Sequence, residues 1–64
     1  MLAENLLLLR KQNRLTQEQV AEAVGVSRQA LSKWENGESA PDIDNCIALA
    51  NFYNVTLDDL VRYN

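Results

Sequence analysis

Two short apolar rhythms lie back to back in TQEQVAEAVGVSRQALSKWENG, residues Thr16 to Gly37, and they meet at Gly25. A glycine at such a junction ends one helix by taking the left-handed backbone that other residues resist, and Ser27 begins the next as its N-cap. Advancing about 100° per residue from Ser27 puts Arg28, Gln29, Ser32, Lys33 and Asn36 on one face. Ala30, Leu31 and Trp34 fall on the other. The apolar face predicts docking on a core, which leaves the polar face to meet a polar partner.

The rest of the chain follows the same helical pattern, with no strand candidate. Leu2, Leu6, Leu9 and Asn13 recur on one helical face, so a first helix is expected from near Leu2 to about Gln12. Thr16 is placed as the N-cap of the second helix, with Gln19 closing a capping box and Val20, Ala21 and Val24 on its buried side. Asn36-Gly37 supplies the exit of the third. Pro41 with Asp42 is expected to start a fourth, in which Ile43, Cys46, Leu49, Ala50 and Tyr53 share the buried side. Asn54 is a left-handed stop, Thr56 caps a fifth helix with Asp59 at its third position, and Leu57, Leu60 and Val61 close the core. The expected fold is all-α, a compact bundle of five short helices.

With 64 residues the chain makes one small domain, 1–64, and a domain of this size buries only about 60% of its unfolded surface. Apolar residues are 47% of the chain and charged residues 23%, a balance that favours a packed core over disorder. The run Leu6 to Leu9 is too short to span a bilayer, which takes roughly 20 apolar residues. A single cysteine, Cys46, excludes an internal disulfide, and no signal peptide marks the start, so the cytoplasm is the expected compartment. Catalysis is not expected. The chain has no His, no second Cys, no glycine-rich phosphate loop and no nucleophile with a base at recognisable spacing. No cofactor or metal is implied.

Net charge is −3, but it is unevenly spread. Residues 1–36 carry Arg10, Lys11, Arg14, Arg28 and Lys33 against Glu4, Glu18, Glu22 and Glu35, a net +1. Residues 37–64 carry Arg62 against Glu38, Asp42, Asp44, Asp58 and Asp59, a net −4. The first part is the friendlier to phosphate.

Leu15-Thr16-Gln17, Val20-Ala21, Gly25-Val26-Ser27, Ser32-Lys33-Trp34-Glu35-Asn36-Gly37, Pro41, Leu49-Ala50 and Val55-Thr56-Leu57 together resemble the signature of Cro/Xre-type helix-turn-helix DNA-binding domains, the group that includes phage repressors. The resemblance covers nearly the whole chain. It implies a lambda-repressor-like fold whose second and third helices form the helix-turn-helix, with the third entering the major groove. It implies base reading by Arg28, Gln29, Ser32 and Lys33, phosphate contacts from Gln17, Ser27, Asn36 and Arg14, and a structural ion pair between Arg10 and Glu35. The implied partner is double-stranded DNA, as a palindromic operator, and the implied role is transcriptional regulation, repression foremost.

Plainer readings stand beside these. Arg28 and Lys33 also suit a solvated helix face, Gln17 also suits a first helical turn, and Trp34 and Cys46 read first as core. The loop after the third helix carries Glu38, Asp42 and Asp44 where members of the resembled family often carry basic residues, so moderate affinity per monomer is expected. Leu7 and Leu8 lie off the buried face of the first helix, and Ile47, Phe52, Val61 and Tyr63 exceed the needs of one small core. As a set near the C-terminal helices, with Arg62 close by, they favour a two-fold homodimer. The rival to DNA binding is an antitoxin or adaptor role whose main contact is a protein partner, and the acidic balance keeps it in view.

Overall fold

The computed structural model describes residues 2–62, and among them the chain forms five helices and no strand. They are α1 (Leu2–Gln12), α2 (Gln17–Val24), α3 (Arg28–Asn36), α4 (Ile43–Tyr53) and α5 (Leu57–Val61). None is long and apolar enough to cross a membrane.

Three of the four connections repeat one device. Arg14, Gly25 and Asn54 take positive φ of 57°, 80° and 59°, ending α1, α2 and α4. The next residue, Leu15, Val26 or Val55, turns its amide back onto Arg10, Ala21 or Ala50 at 3.1, 2.9 and 3.0 Å and lays its apolar side chain on the core. The third, Thr16, Ser27 or Thr56, caps the following helix by accepting the amide of Gln19, Ala30 or Asp59. Three residues thus stop one helix, anchor the corner and start the next. Thr16 and Gln19 complete a reciprocal capping box.

The connection from α3 to α4 departs from this pattern. Gly37 has φ 79° and the Glu38 amide returns to Lys33 at 2.9 Å, but the residue at the corner is an exposed acid rather than an apolar anchor. The chain runs on to buried Pro41 before Asp42 caps α4 through the Asn45 amide at 2.9 Å.

The core takes one fully buried side chain from each helix: Leu6, Val20, Leu31, Leu49 and Leu60. Ala21 and Ala50 are small enough to let neighbouring helices approach, while Trp34, Cys46 and Tyr53 fill the remaining space. Helix α1 packs on α3 and α5, α2 on α3 and α4, and α4 on α5. Cys46 is core filler, its thiol against the Pro41 carbonyl at 3.7 Å and pushed up by burial.

Four sequence expectations need correction. Ile43 is 61% exposed, because Asp42 has extended backbone and is the cap, leaving Ile43 as the first helical residue of α4 rather than part of its buried stripe. Pro41 accordingly precedes the cap instead of starting the helix. Val61 is exposed, leaving Leu57 and Leu60 to close the core from α5. Asn13 faces solvent beyond the end of α1, and its side chain donates to the Leu9 carbonyl at 2.7 Å. One structural residue had no sequence signal: Asn5 donates to the carbonyls of Leu60 and Arg62 at 2.9 and 3.1 Å, capping the end of α5 from α1.

Left-handed corners make a direct test. A Cβ at Gly25 would meet nothing within 4 Å, so Gly25→Ala should cost only the backbone penalty, about 1 kcal/mol. Arg14→Gly relieves the same penalty and should raise stability by about 0.5 kcal/mol. Urea unfolding of both variants checks the opposite signs.

Candidate nucleic-acid interface

The turn Gly25-Val26-Ser27 orients α3 against α2, and Leu31 and Trp34 seat it in the core. Arg28, Gln29 and Lys33 are left exposed on its outer face, with Ser32 half-buried between them and Asn36 exposed at its end. The four residues proposed to read bases therefore share one accessible face.

At the base of that face lies the most heavily bonded group of the described residues. The Glu35 carboxylate is buried, its side chain 2% exposed, and accepts Arg10 Nε at 2.8 Å on Oε2 and Arg10 Nη2 at 3.0 Å on Oε1. Gln17 Nε2 donates to the same Oε1 at 3.0 Å. Arg10 Nη1 donates to the Leu15 carbonyl at 3.0 Å. These four hydrogen bonds join α1, the corner after it, the first residue of α2 and the last turn of α3. The bonds it donates to Glu35 hold the Arg10 guanidinium above its ordinary pKa, against the opposing effect of burial.

Tyr53 borders this pair from α4. Its hydroxyl is buried with no hydrogen-bond partner among the described residues. Burial pushes the phenol up to about 12, with the Glu35 charge adding to the rise and Arg10 opposing it.

The residues expected to contact phosphate are placed differently from one another. Gln17 is half-buried and commits one amide hydrogen to Glu35, keeping its second hydrogen and its carbonyl oxygen. Ser27 accepts the Ala30 amide at 3.0 Å, and its hydroxyl hydrogen remains to donate outward. Arg14 is exposed at the left-handed corner. Asn36 donates to Glu38 Oε2 at 3.4 Å, so an acid stands beside it. Sequence reasoning put Tyr53 on the buried side of α4, where it lies, but missed its place beside the ion pair and the Gln17–Glu35 bond. Neither has a local signal, since both join elements far apart in the chain.

Two short helices joined at Gly25-Val26-Ser27, the second with an exposed polar face, make a helix-turn-helix. The sequence profile of the helix-turn-helix family matches residues 6–60, and the chain belongs to that family, in its Cro/C1-type branch. It is 45% identical over 58 residues to the HTH-type transcriptional activator BcrR of Enterococcus faecalis, a match covering 91% of this chain and 28% of BcrR. Among solved structures, the P22 c2 repressor in complex with a synthetic operator superposes with a TM-score of 0.94 at 30% identity, covering 100% of this chain and 97% of that one. A transcriptional regulator from Listeria innocua gives 0.92 at 36% identity, covering 100% of this chain and 60% of that one. The chain spans less than two thirds of the length of these curated relatives, 28% of BcrR and 53% of the Bacillus subtilis regulator YqaE.

The raised Tyr53 phenol sets the direction of an alkaline effect. A folded pKa above the unfolded value of about 10 stabilises the fold fully below pH 10, and that contribution is lost as pH rises toward about 12. Tyr53→Phe should leave stability near neutral pH unchanged or slightly higher, because it removes a hydroxyl without a protein partner. It should also flatten the decline in melting temperature above about pH 10. Thermal unfolding of both proteins across that range gives the comparison.

Proposed function

We propose that this domain binds double-stranded DNA sequence-specifically as the recognition part of a transcriptional regulator, with α3 in the major groove. The observation that carries the reading is the exposed polar face of α3, seated from behind by Leu31 and Trp34. Arg28 suits bidentate bonding to guanine O6 and N7, Gln29 suits adenine, Ser32 suits either, and Lys33 suits guanine or a nearby phosphate. Gln17, Ser27, Asn36 and Arg14 are assigned to the phosphate backbone, where contacts set register without reading sequence. Arg10 and Glu35 act behind them as a structural pair.

Similarity to an activator and to a repressor alike supports regulation without fixing its sign. Repression stays the foremost direction of the proposed regulation, with activation beside it.

The exposed acids Glu38, Asp42 and Asp44 after α3 support a modest grip per monomer. A homodimer on a palindromic operator, with half-sites about 34–36 Å apart, compensates by doubling the contacts. Ile47 and Phe52 on α4 and Val61 on α5 are 44%, 38% and 40% exposed and supply apolar surface for that pairing. Tyr63, assigned to the same surface, lies outside the described residues. The cytoplasm is the compartment this role requires.

The test begins with DNA selected from a random pool. Log affinity should fall with log salt by roughly 0.9 for each phosphate neutralised. Arg28→Ala should cost about 1–3 kcal/mol and relax preference at one base pair, whereas Gln17→Ala should weaken all sequences alike. If no selected DNA binds in a salt-dependent way, the DNA reading fails and the protein-partner role, as antitoxin or adaptor, takes its place.

A further inference from the structure

Glu35 is too deeply buried to touch a ligand, and both its carboxylate oxygens are engaged by Arg10. It does touch Gln17, the first residue of α2, whose Nε2 donates to Oε1 at 3.0 Å. A carboxylate only accepts hydrogen bonds. Turning the Gln17 amide over would set its carbonyl oxygen against Oε1, so Glu35 admits one of the two amide orientations. With the nitrogen held there, one hydrogen of Nε2 is used and the other has no partner among the described residues. Gln17 is half-buried, which leaves part of its side chain open to solvent.

We propose that Glu35 is a positioning residue for DNA: it holds the Gln17 side chain, before DNA arrives, in the amide orientation that offers the second Nε2 hydrogen to a phosphate oxygen. The proposal rests on the DNA reading above and deepens it. A free glutamine gives up side-chain freedom when it engages a ligand, whereas one already tied to a buried group has given it up on folding. The orientation matters as much as the order, since a phosphate oxygen takes hydrogens and repels a carbonyl. Because the contact is to the backbone of the duplex, Glu35 sets affinity without choosing the base that is read. The pair of Arg10 and Glu35 thereby acts on the interface through Gln17 as well as through the seating of α3.

A binding cycle on one DNA selected from a random pool tests the coupling. Arg10→Met combined with Glu35→Leu removes the acceptor, leaves net charge unchanged and keeps apolar groups of similar size in the interior. In the wild-type protein Gln17→Ala should weaken binding on the order of tenfold, the worth of one hydrogen bond to a charged group. In the Arg10→Met/Glu35→Leu background the same substitution should cost less than about twofold, because the unheld side chain contributes little. A pair that only seats α3 would leave the Gln17→Ala loss equal in the two backgrounds, and that result would overturn the proposal. A second measurement needs no variant. In free wild-type protein, side-chain relaxation by NMR should find the Gln17 Nε2 group as ordered as the backbone and the exposed Gln29 group mobile. Equal mobility of the two would also overturn it. Wild-type protein that binds no selected DNA would remove the DNA reading and this one together, whereas wild-type binding that Gln17→Ala leaves unchanged would remove this one alone.

Discussion

Three segments of this fold depend on one buried carboxylate. Glu35 lies in the last turn of α3, and a carboxylate buried there needs donors, since an isolated buried charge costs many kcal/mol. Arg10 supplies two bonds from α1 and Gln17 a third from the first turn of α2. The fourth bond of the group, from Arg10 to the Leu15 carbonyl, fixes the corner between those helices. The same carboxylate that locates the end of α3 thus locates Gln17, and through the Leu15 corner the start of α2. A buried pair of this kind adds little net stability over well-packed apolar residues, and its value here is geometric. It sets where one helix ends relative to the start of another, which is the relation a surface reading a groove must hold.

Around that point the chain is organised by its corners. The repeated left-handed residue, apolar anchor and cap make connections of three or four residues between successive helices, so the helices have no slack in which to slide. The exception, after α3, replaces the apolar anchor with Glu38 and lengthens the connection, and it falls beside the proposed reading face. There the chain spends a corner on exposed acidic residues, with Glu38 next to Asn36. This is consistent with a surface that binds weakly as a monomer and gains specificity by pairing.

Most of the fold was legible in the sequence because its signals are local. Thr16 with Gln19, Ser27, Gly25, Gly37, Asn54 and Thr56 are cap and stop residues whose chemistry acts within one helical turn, and all occupy those places. Arg14 carried no such signal: nothing in an arginine announces a positive φ, and the corner imposes it. Ile43 misled because periodicity describes the sides of a helix and not its first turn, where the neighbouring elements have not yet closed over it. Of the site, the division of α3 into a seated and an exposed face was legible from the 3.6-residue repeat alone. The Arg10–Glu35 pair was expected only through family resemblance. Gln17 on Glu35 and Tyr53 behind the pair join positions separated by 18 residues in each case, and such contacts exist only once the bundle has closed.

Helix α3 is held in place by a buried carboxylate that needs its partner. A double-mutant cycle by urea unfolding on Arg10→Met, Glu35→Leu and the combined variant measures this most directly. Arg10→Met alone strands the carboxylate and should cost about 3 kcal/mol, while the combined variant, with apolar groups of similar size, should return to within about 1 kcal/mol of the original. A nearly neutral Arg10→Met, or a combined loss equal to the sum of the single losses, would contradict the account.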